Sequence, residues 1–390
     1  MKTLFYIIAF CLCFQLMGVI PFPATITGSI ILIVSIISYR KNLPFNKIII
    51  CLAFFLFLNF LSCKFYRGQS LLETFRASVS FYNLALFWFF YSWKMNVAKW
   101  EKTLWWVCLA FGICYVLQYA VFPTVIFGGQ IRTGSEEQRM AIYGQGLASL
   151  SFLFGINKFM ITQEKKYLVI ILLGLFALIG CGYRTMLLAL VASTVILLTR
   201  LGISKKQIFS FLCLCGILAA FAYNSTFFQA QLENMAHRNE DLEAAGFEND
   251  IRYINLMYHY TDYFKSPLEM MLGSGCPFET SQYGIFSSDI MVTYYHFYYA
   301  DWGLIGLSWI IGIPAVLTMI YYSFKMFLTK VPRQYLYVGV YFFNIVISSI
   351  TTHEFYIHLN FVVQAILFCI FARILKENNI KSSKLGAWRT

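Results

Sequence analysis

KYLVIILLGLFALIGCGYRTMLLALVASTVILLTR, residues 166–200, decides the fold. Two apolar runs, 167–182 and 185–199, stand back to back, and the turn between them holds one charged residue, Arg184. A helix at a protein surface in water needs a polar stripe, and neither run has one. Each is about long enough, with shared polar ends, to cross roughly 30 Å of hydrocarbon. The spacing therefore predicts a membrane hairpin whose turn places Arg184 at the bilayer boundary. A charge there costs a few kcal/mol unless it is paired or wet; the bland alternative is an arginine snorkelling to the interface.

The same rhythm extends outward along the chain. Apolar stretches recur at roughly 4–20, 24–39, 48–62, 77–93, 103–122 and 142–160 before this hairpin, and at 207–223, 299–322, 334–350 and 357–373 after it. Of the 390 residues, 59% are hydrophobic and 12% charged, a balance that excludes a soluble domain with a polar surface. The expected fold is an all-α polytopic membrane protein of about twelve transmembrane helices. Met1–Ile20 reads as the first span, because only Lys2 precedes the apolar run and Pro21-Phe22-Pro23 follows it in place of a small-residue cleavage site.

Charge sorting sets the orientation. The segments containing the N-terminus, Arg40–Lys47, Lys94–Lys102, Lys158–Lys166, Arg200–Lys206, Lys325–Arg333 and the tail carry 21 of the 30 Lys/Arg and 3 of the 18 Asp/Glu. That side is expected to be cytoplasmic, with both termini on it. The formal charge of +12 then reflects anchoring at the membrane surface, and nucleic acid is not implied as a partner, since the aromatic residues lie within or beside the spans rather than interleaving a basic stripe. Most of the 11 cysteines lie inside apolar runs and form no disulfide framework; Cys63 and Cys276 alone fall in outer loops.

Two outer segments exceed what a turn needs. The first is Pro123–Ala141. The second runs from Asn224 to Tyr295 within a large periplasmic loop, 224–298, that separates helices 1–9 (residues 1–223) from helices 10–12 and a basic tail (299–390). In the second, DIRYINLMYHYTDYF at 250–264 sets Arg252, Asn255, His259 and Asp262 near one helix face, with Ile254, Met257 and Tyr258 away from it, which predicts an amphipathic helix lying at the interface. Asn344, Gln364 and Gln118 are expected to tie helices together. The chain has no fixed-period repeat and reads as one domain.

Inside, 16 of the 21 basic residues are Lys; outside, 7 of the 9 are Arg. The guanidinium fork matches phosphate oxygens two at a time where a lysine point charge cannot, so Arg132, Arg139, Arg184 and Arg252, with Arg238, point to a phosphate-bearing substrate. Solvated ion pairing is the ordinary alternative for any one of them. His296, where the long loop re-enters the membrane, has a side chain able to take a proton from a sugar hydroxyl at neutral pH. His353, Glu354 and His358 in THEFYIH form an alternative site, with a spacing that fits metal ligation poorly. Phosphate-loop and GxSxG signatures are absent.

Three stretches carry a family resemblance: RTGSEEQRMAIYGQGLASL (132–150), GYRTMLLALVAS (182–193), and IRYINLMYHYTDYFKSPLEMMLGSGCPFE (251–279) followed by YYHFYYADWGLIGL (294–307). In order and spacing they resemble the bacterial O-antigen polymerases and O-antigen ligases, over roughly residues 130–310. Tyr183 and Phe297 stand where that family often carries Ser and Asn.

The resemblance implies a metal-independent, inverting glycosyltransferase of the inner membrane, active at its periplasmic face, without cofactor. It implies an undecaprenyl-diphosphate-linked oligosaccharide as donor, Arg132, Arg139, Arg184 and Arg252 on the diphosphate, His296 as catalytic base, and the tyrosines and acids of the long loop on the sugars. Implied partners are membrane lipids and a chain-length regulator and flippase of the same pathway. A surface-polysaccharide polymerase is favoured; a ligase transferring the glycan to lipid A core is the alternative within the family. A lipid-glycan flippase or transporter is the alternative of another class, and would call for ionisable residues near the bilayer midplane.

Overall fold

A computed structural model of the chain describes residues 24–133, 138–142, 144, 146–182, 184–204, 250–356 and 359–377. The expected spans at 4–20 and 207–223, and Arg238, lie outside these residues.

The described chain is chiefly helical. Helix α1 spans Ala24–Ile37, and α2, Asn46–Ser62, runs on through a π turn, Cys63–Arg67. A broken run follows, α3 (Leu71–Ala77), α4 (Val79–Tyr82) and α5 (Leu86–Ser92), and then α6, Val97–Ala120. The single span expected at 77–93 is thus divided, with Ser78 and Asn83 buried at its breaks. Strands β1 (Gly129–Thr133) and β2 (Gln138–Ile142) form an antiparallel hairpin, a departure from the purely helical expectation. Next come α7 (Gly146–Thr162), α8 (Lys166–Cys181) and α9 (Arg184–Leu201).

After residue 249, short elements fill the expected long loop: α10 (Ile251–Tyr258) with a π turn to Tyr263, α11 (Pro267–Leu272), and α12 (Gln282–Ile285) leading into a π segment that ends at Tyr294. The last four helices are α13 (Gly303–Ile311), α14 (Ile313–Leu328), α15 (Leu336–Ser348) and α16 (Asn360–Glu377).

Helix α16 is largely apolar and buried at nearly every position from Asn360 to Ile374, so the other helices gather round it. Phe368 stacks on Phe45 at 4.4 Å between ring centroids and on Phe342 at 5.5 Å. Such pairs are worth roughly 0.5–1.5 kcal/mol each beyond the area they bury. The outward faces of α1, α2, α8, α9 and α14 are also apolar, with Ile37, Phe54, Leu172, Leu188 and Leu328 exposed. Two described helical runs, Asn46–Arg67 and Val97–Ala120, are long and apolar enough by length and composition to cross a membrane; Gly146–Thr162, Lys166–Cys181, Thr185–Leu201 and Ile313–Leu328 are shorter apolar helices.

The two ends of the bundle differ in chemistry. At the lysine-rich end, Lys158 pairs with Glu101 at 2.6 Å, Glu377 accepts from Val97 N–H at 3.0 Å, and Arg373 and Arg200 donate to the carbonyls of Tyr91 and Phe327. Midway, Asn344 accepts from Ser193 at 3.1 Å, and Gln364 joins the Tyr322 hydroxyl and the Phe355 carbonyl; both tie helices together as expected. Gln118 instead caps the turn after α6, accepting from the N–H groups of Ile126 and Phe127.

The stretch expected as one span at 299–322 is broken at Gly312, whose φ of 90° belongs to glycine. The carbonyls released there need partners, because buried backbone polar groups are almost always paired. Segment 273–275 supplies them: Ser274 N–H donates to Trp309 O at 2.8 Å and Gly275 N–H to Ile310 O at 2.9 Å. Asn59 of α2 completes the joint with Nδ2 bonds to Leu272 O and Ile310 O at 2.8 and 2.7 Å. A Cβ at Gly273 would fall 2.5 Å from Gly312 N, so the two glycines are what allow the chains to approach.

Candidate functional site at the arginine-bearing end

The hairpin register sets Arg132 opposite Arg139. Strand β2 packs against α8 and leads into α7, whose first N–H, that of Gly146, donates to Asn360 Oδ1 at 2.7 Å. A Cβ at Gly146 would stand 2.2 Å from that oxygen, so glycine is required where the head of α7 meets the head of α16.

Arg184 follows almost without a loop. Gly182, at φ 68°, ends α8 with its N–H on Ile179 O, and Arg184 is the first residue of α9. The next residue, Thr185, shares a 2.7 Å hydroxyl hydrogen bond with Thr351. The hairpin, the α8–α9 turn and the segment after α15 therefore meet at one end of the bundle, opposite the lysine-rich end.

Segment 349–356 carries Glu354, a member of the alternative site with His353 and His358. Glu354 is 2% exposed; its Oε1 accepts from Asn360 Nδ2 at 2.9 Å, and the same amide donates to its main-chain carbonyl. Burial pushes its carboxyl up to about 7, against a downward pull from the Asn360 hydrogen bond. The buried Tyr341 hydroxyl, without a hydrogen-bond partner among the described residues, and the Cys181 thiol both feel its charge. His358, its expected companion in a metal site, lies outside the described residues. Among the described residues no three His, Cys, Asp or Glu side chains group so as to hold a metal ion.

Helix α10 is amphipathic, but of its expected polar face Asn255 and His259 are buried while Arg252 and Asp262 are exposed. Asp250 caps it by accepting from Arg252 N–H. Asn255, 1% exposed, donates to Tyr298 O at 3.1 Å. His259, 4% exposed, stacks on Trp309 with centroids 3.9 Å apart and sets Nδ1 2.9 Å from Asn255 O. Burial pulls the imidazole down to about 4, so it is neutral at physiological pH. Ile251, Ile254 and Met257 face outward.

Arg252 is exposed on the first turn of α10, and its carbonyl accepts from Trp302 Nε1 at 3.1 Å. His296 is exposed too, at φ 56°, a left-handed conformation that costs of order 1 kcal/mol for a non-glycine residue and clusters at functional sites. The next residue, Phe297, is buried against Tyr258 and Tyr295, with its N–H on Met291 O at 2.7 Å. Arg252 and His296 thus flank one short-helix layer, while the backbone places Arg132 and Arg139 in the hairpin and Arg184 at the head of α9. The expected proximity of His296 to Arg184 turns on the Arg184 side chain, which lies outside what the structure describes. The two regions are linked through the main chain, where Leu304 N–H donates to Ser349 O at 2.8 Å.

One outer arginine has an occupation the sequence reading missed. Arg67 donates through Nε to Glu269 Oε1 at 2.5 Å and through Nη2 to Tyr263 O at 2.7 Å, and its guanidinium lies 4.0 Å from the Tyr263 ring centroid. Glu269, fully buried, also accepts from Lys265 N–H at 2.8 Å and Ser274 Oγ at 3.1 Å. This pair clamps α11 to the end of α2. The preference for arginine at this end therefore has a structural share as well as any share in binding.

Comparison with protein-family models, with curated proteins and with solved structures finds no match to this chain.

Proposed function

We propose that the chain is a surface-polysaccharide repeat-unit polymerase: an integral inner-membrane glycosyltransferase of about twelve spans with its active end toward the periplasm. Its donor is an undecaprenyl-diphosphate-linked glycan. What carries the reading is the strand register that opposes Arg132 and Arg139, at the end of the bundle away from the lysines, together with the start of α9 at Arg184. Like charges directly opposed in a strand pair are unfavourable, and a diphosphate is a counter-charge suited to such a pair. The outward apolar faces of the helices support the membrane placement.

In the proposed reaction an acceptor sugar hydroxyl attacks the donor's anomeric carbon from the face opposite the diphosphate. The new C–O bond forms as the bond from carbon to diphosphate oxygen breaks, which inverts the centre. The hydroxyl proton passes to His296, and the diphosphate leaves with both electrons of the broken bond, its charge held by Arg132, Arg139, Arg184 and Arg252. The bond broken supplies the driving force, so nucleotide hydrolysis is not needed. The exposed, left-handed His296 beside the tyrosine-rich short helices suits a base that meets a sugar acceptor.

Replacing Arg184 by Ala or Lys is expected to abolish polymer while leaving protein level unchanged, measured as glycan chain length on a gel from a complemented deletion strain. Wild-type polymer in both variants removes the diphosphate role. Bare core with lipid-linked polymer accumulating in the deletion strain reassigns the chain as a ligase.

A further inference from the structure

Helices α2 and α14 run antiparallel with a groove of about 450 Å³ between them, lined by Lys47, Ile48, Cys51 and Phe55 on one side and by Pro314, Leu317, Thr318, Tyr321 and Lys325 on the other. The lining positions recur at helical spacing, so each helix gives the groove a single face. Along α2 it extends from Lys47 to Phe55, about 12 Å at helical rise. The ends differ: Lys47 and Lys325 mark one, while Phe55 and Pro314 close the other. Midway, Cys51 Sγ lies 3.9 Å from Thr318 Oγ1, and the small side chains there keep the groove narrow. Lys325 is steered to the mouth by its 2.9 Å bond to the Tyr321 hydroxyl.

We propose that this groove binds one anionic phospholipid, with an acyl chain between α2 and α14 and the phosphate at Lys47 and Lys325. The proposal rests on the membrane placement above, though not on the glycosyl-transfer reading. Three features select the occupant. The charged end lies toward the lysine-rich end of the bundle, where Arg40 and Lys41 add positive charge just before α2, so the headgroup is that of the cytoplasmic leaflet. Ile50, Phe54, Phe57, Phe324 and Leu328 on the same two helices are exposed and apolar, so the groove opens sideways onto hydrocarbon, a route for a lipid and not for a water-soluble peptide. The remaining lining is apolar apart from Thr318 and Tyr321, which suits a chain and leaves the lysines as the elements that read charge.

The test uses the full-length Leu317→Trp variant in phosphatidylcholine vesicles, with brominated phosphatidylglycerol or brominated phosphatidylcholine as quencher and the fluorescence of the protein without that substitution subtracted. Phosphatidylglycerol is expected to quench on the order of tenfold more effectively at equal mole fraction, as two basic residues near a headgroup allow. The preference is expected to vanish in the variant that also carries Lys47→Gln and Lys325→Gln, and to be unaffected by inorganic phosphate. Equal quenching by the two lipids overturns the proposal while leaving the membrane placement standing. Loss of the preference on adding phosphate makes this a phosphate site and overturns the lipid. Quenching by neither lipid overturns the membrane placement itself.

Discussion

Glu354→Gln probes a buried carboxyl at the arginine-bearing end. The glutamate is 2% exposed, in the segment between α15 and α16, and its carboxyl is raised from an ordinary value of 4.5 to about 7. A raised carboxyl binds its proton more tightly in the folded chain than in the unfolded one. Its contribution is therefore intact below pH 4.5, is lost as pH climbs from 4.5 to 7, and is constant above. A separation of about 2.5 units at 1.36 kcal/mol each gives a penalty on the order of 3 kcal/mol at pH 8.

Glutamine imitates the protonated acid, since it keeps an oxygen to accept from Asn360 Nδ2 and carries no charge. The variant is expected to match wild type at pH 4.5 and to melt higher by on the order of 5 °C at pH 8. Thermal unfolding in detergent or nanodiscs, read as the difference between the two proteins across pH 4.5–8, measures this. Melting curves that stay parallel over that range refute the reasoning. A variant less stable than wild type at pH 8 refutes it more directly, because the native carboxyl is then ionised and paired with a cation.

His259 has the opposite sign. Burial lowers it from 6.5 to about 4, so its contribution is full above pH 6.5 and is lost as pH falls toward 4; His259→Phe, which keeps the ring on Trp309, should remove that acid loss, read as a melting difference from wild type that grows below pH 6.5. The slopes of Glu354 and His259 oppose each other between pH 4.5 and 6.5, so wild type should be nearly flat there while each single variant tilts. Arg67→Met strands Glu269 in the interior and should destabilise by about 3–5 kcal/mol, whereas Arg67→Met with Glu269→Met should recover much of the loss, as a double-mutant cycle of melting temperatures would show.

What was legible in the sequence follows from what a local pattern can encode. Helices α7, α8, α9, α15 and α16 fall within a few residues of the expected spans because each is one uninterrupted apolar run. Helix α6 begins at Val97, ahead of the expected 103, because Asn96 caps it by accepting from Lys99 N–H and its first turns are helical but polar. The break at Gly312 had a signal, Gly-Ile-Pro at 312–314, overridden in the reading by the apolar residues on both sides. The β-hairpin had almost none, since its strands are short and Arg132 and Arg139 occupy ladder positions where apolar alternation would otherwise mark a strand.

Long-range partners were beyond any local reading. Arg67 and Glu269 are separated by 202 positions, and nothing near either residue announces the other. The structure divides the outer arginines by occupation. Arg67 has its donors committed to a carboxylate, a carbonyl and an aromatic face, while Arg252 stands exposed. A charge already neutralised within the protein gains little from a substrate diphosphate; an exposed one gains more. By that criterion Arg252 is better suited than Arg67 to the proposed binding of a leaving group.

The inversion of α10 sharpens the other half of the site in the same way. In water an amphipathic helix buries its apolar stripe, yet here Asn255 and His259 point inward and Ile251, Ile254 and Met257 outward. Three exposed apolar side chains on an eight-residue helix are costly against water and favourable against the headgroup region of a bilayer. If α10 floats there, Arg252 on its first turn and His296 in the neighbouring segment sit at the level where a lipid-linked diphosphate passes into its glycan. That is the depth at which a base and a phosphate ligand must work together on such a donor. The arrangement asks nothing of the hydrocarbon core, which is why the residues bearing the proposed chemistry are found among short helices and turns.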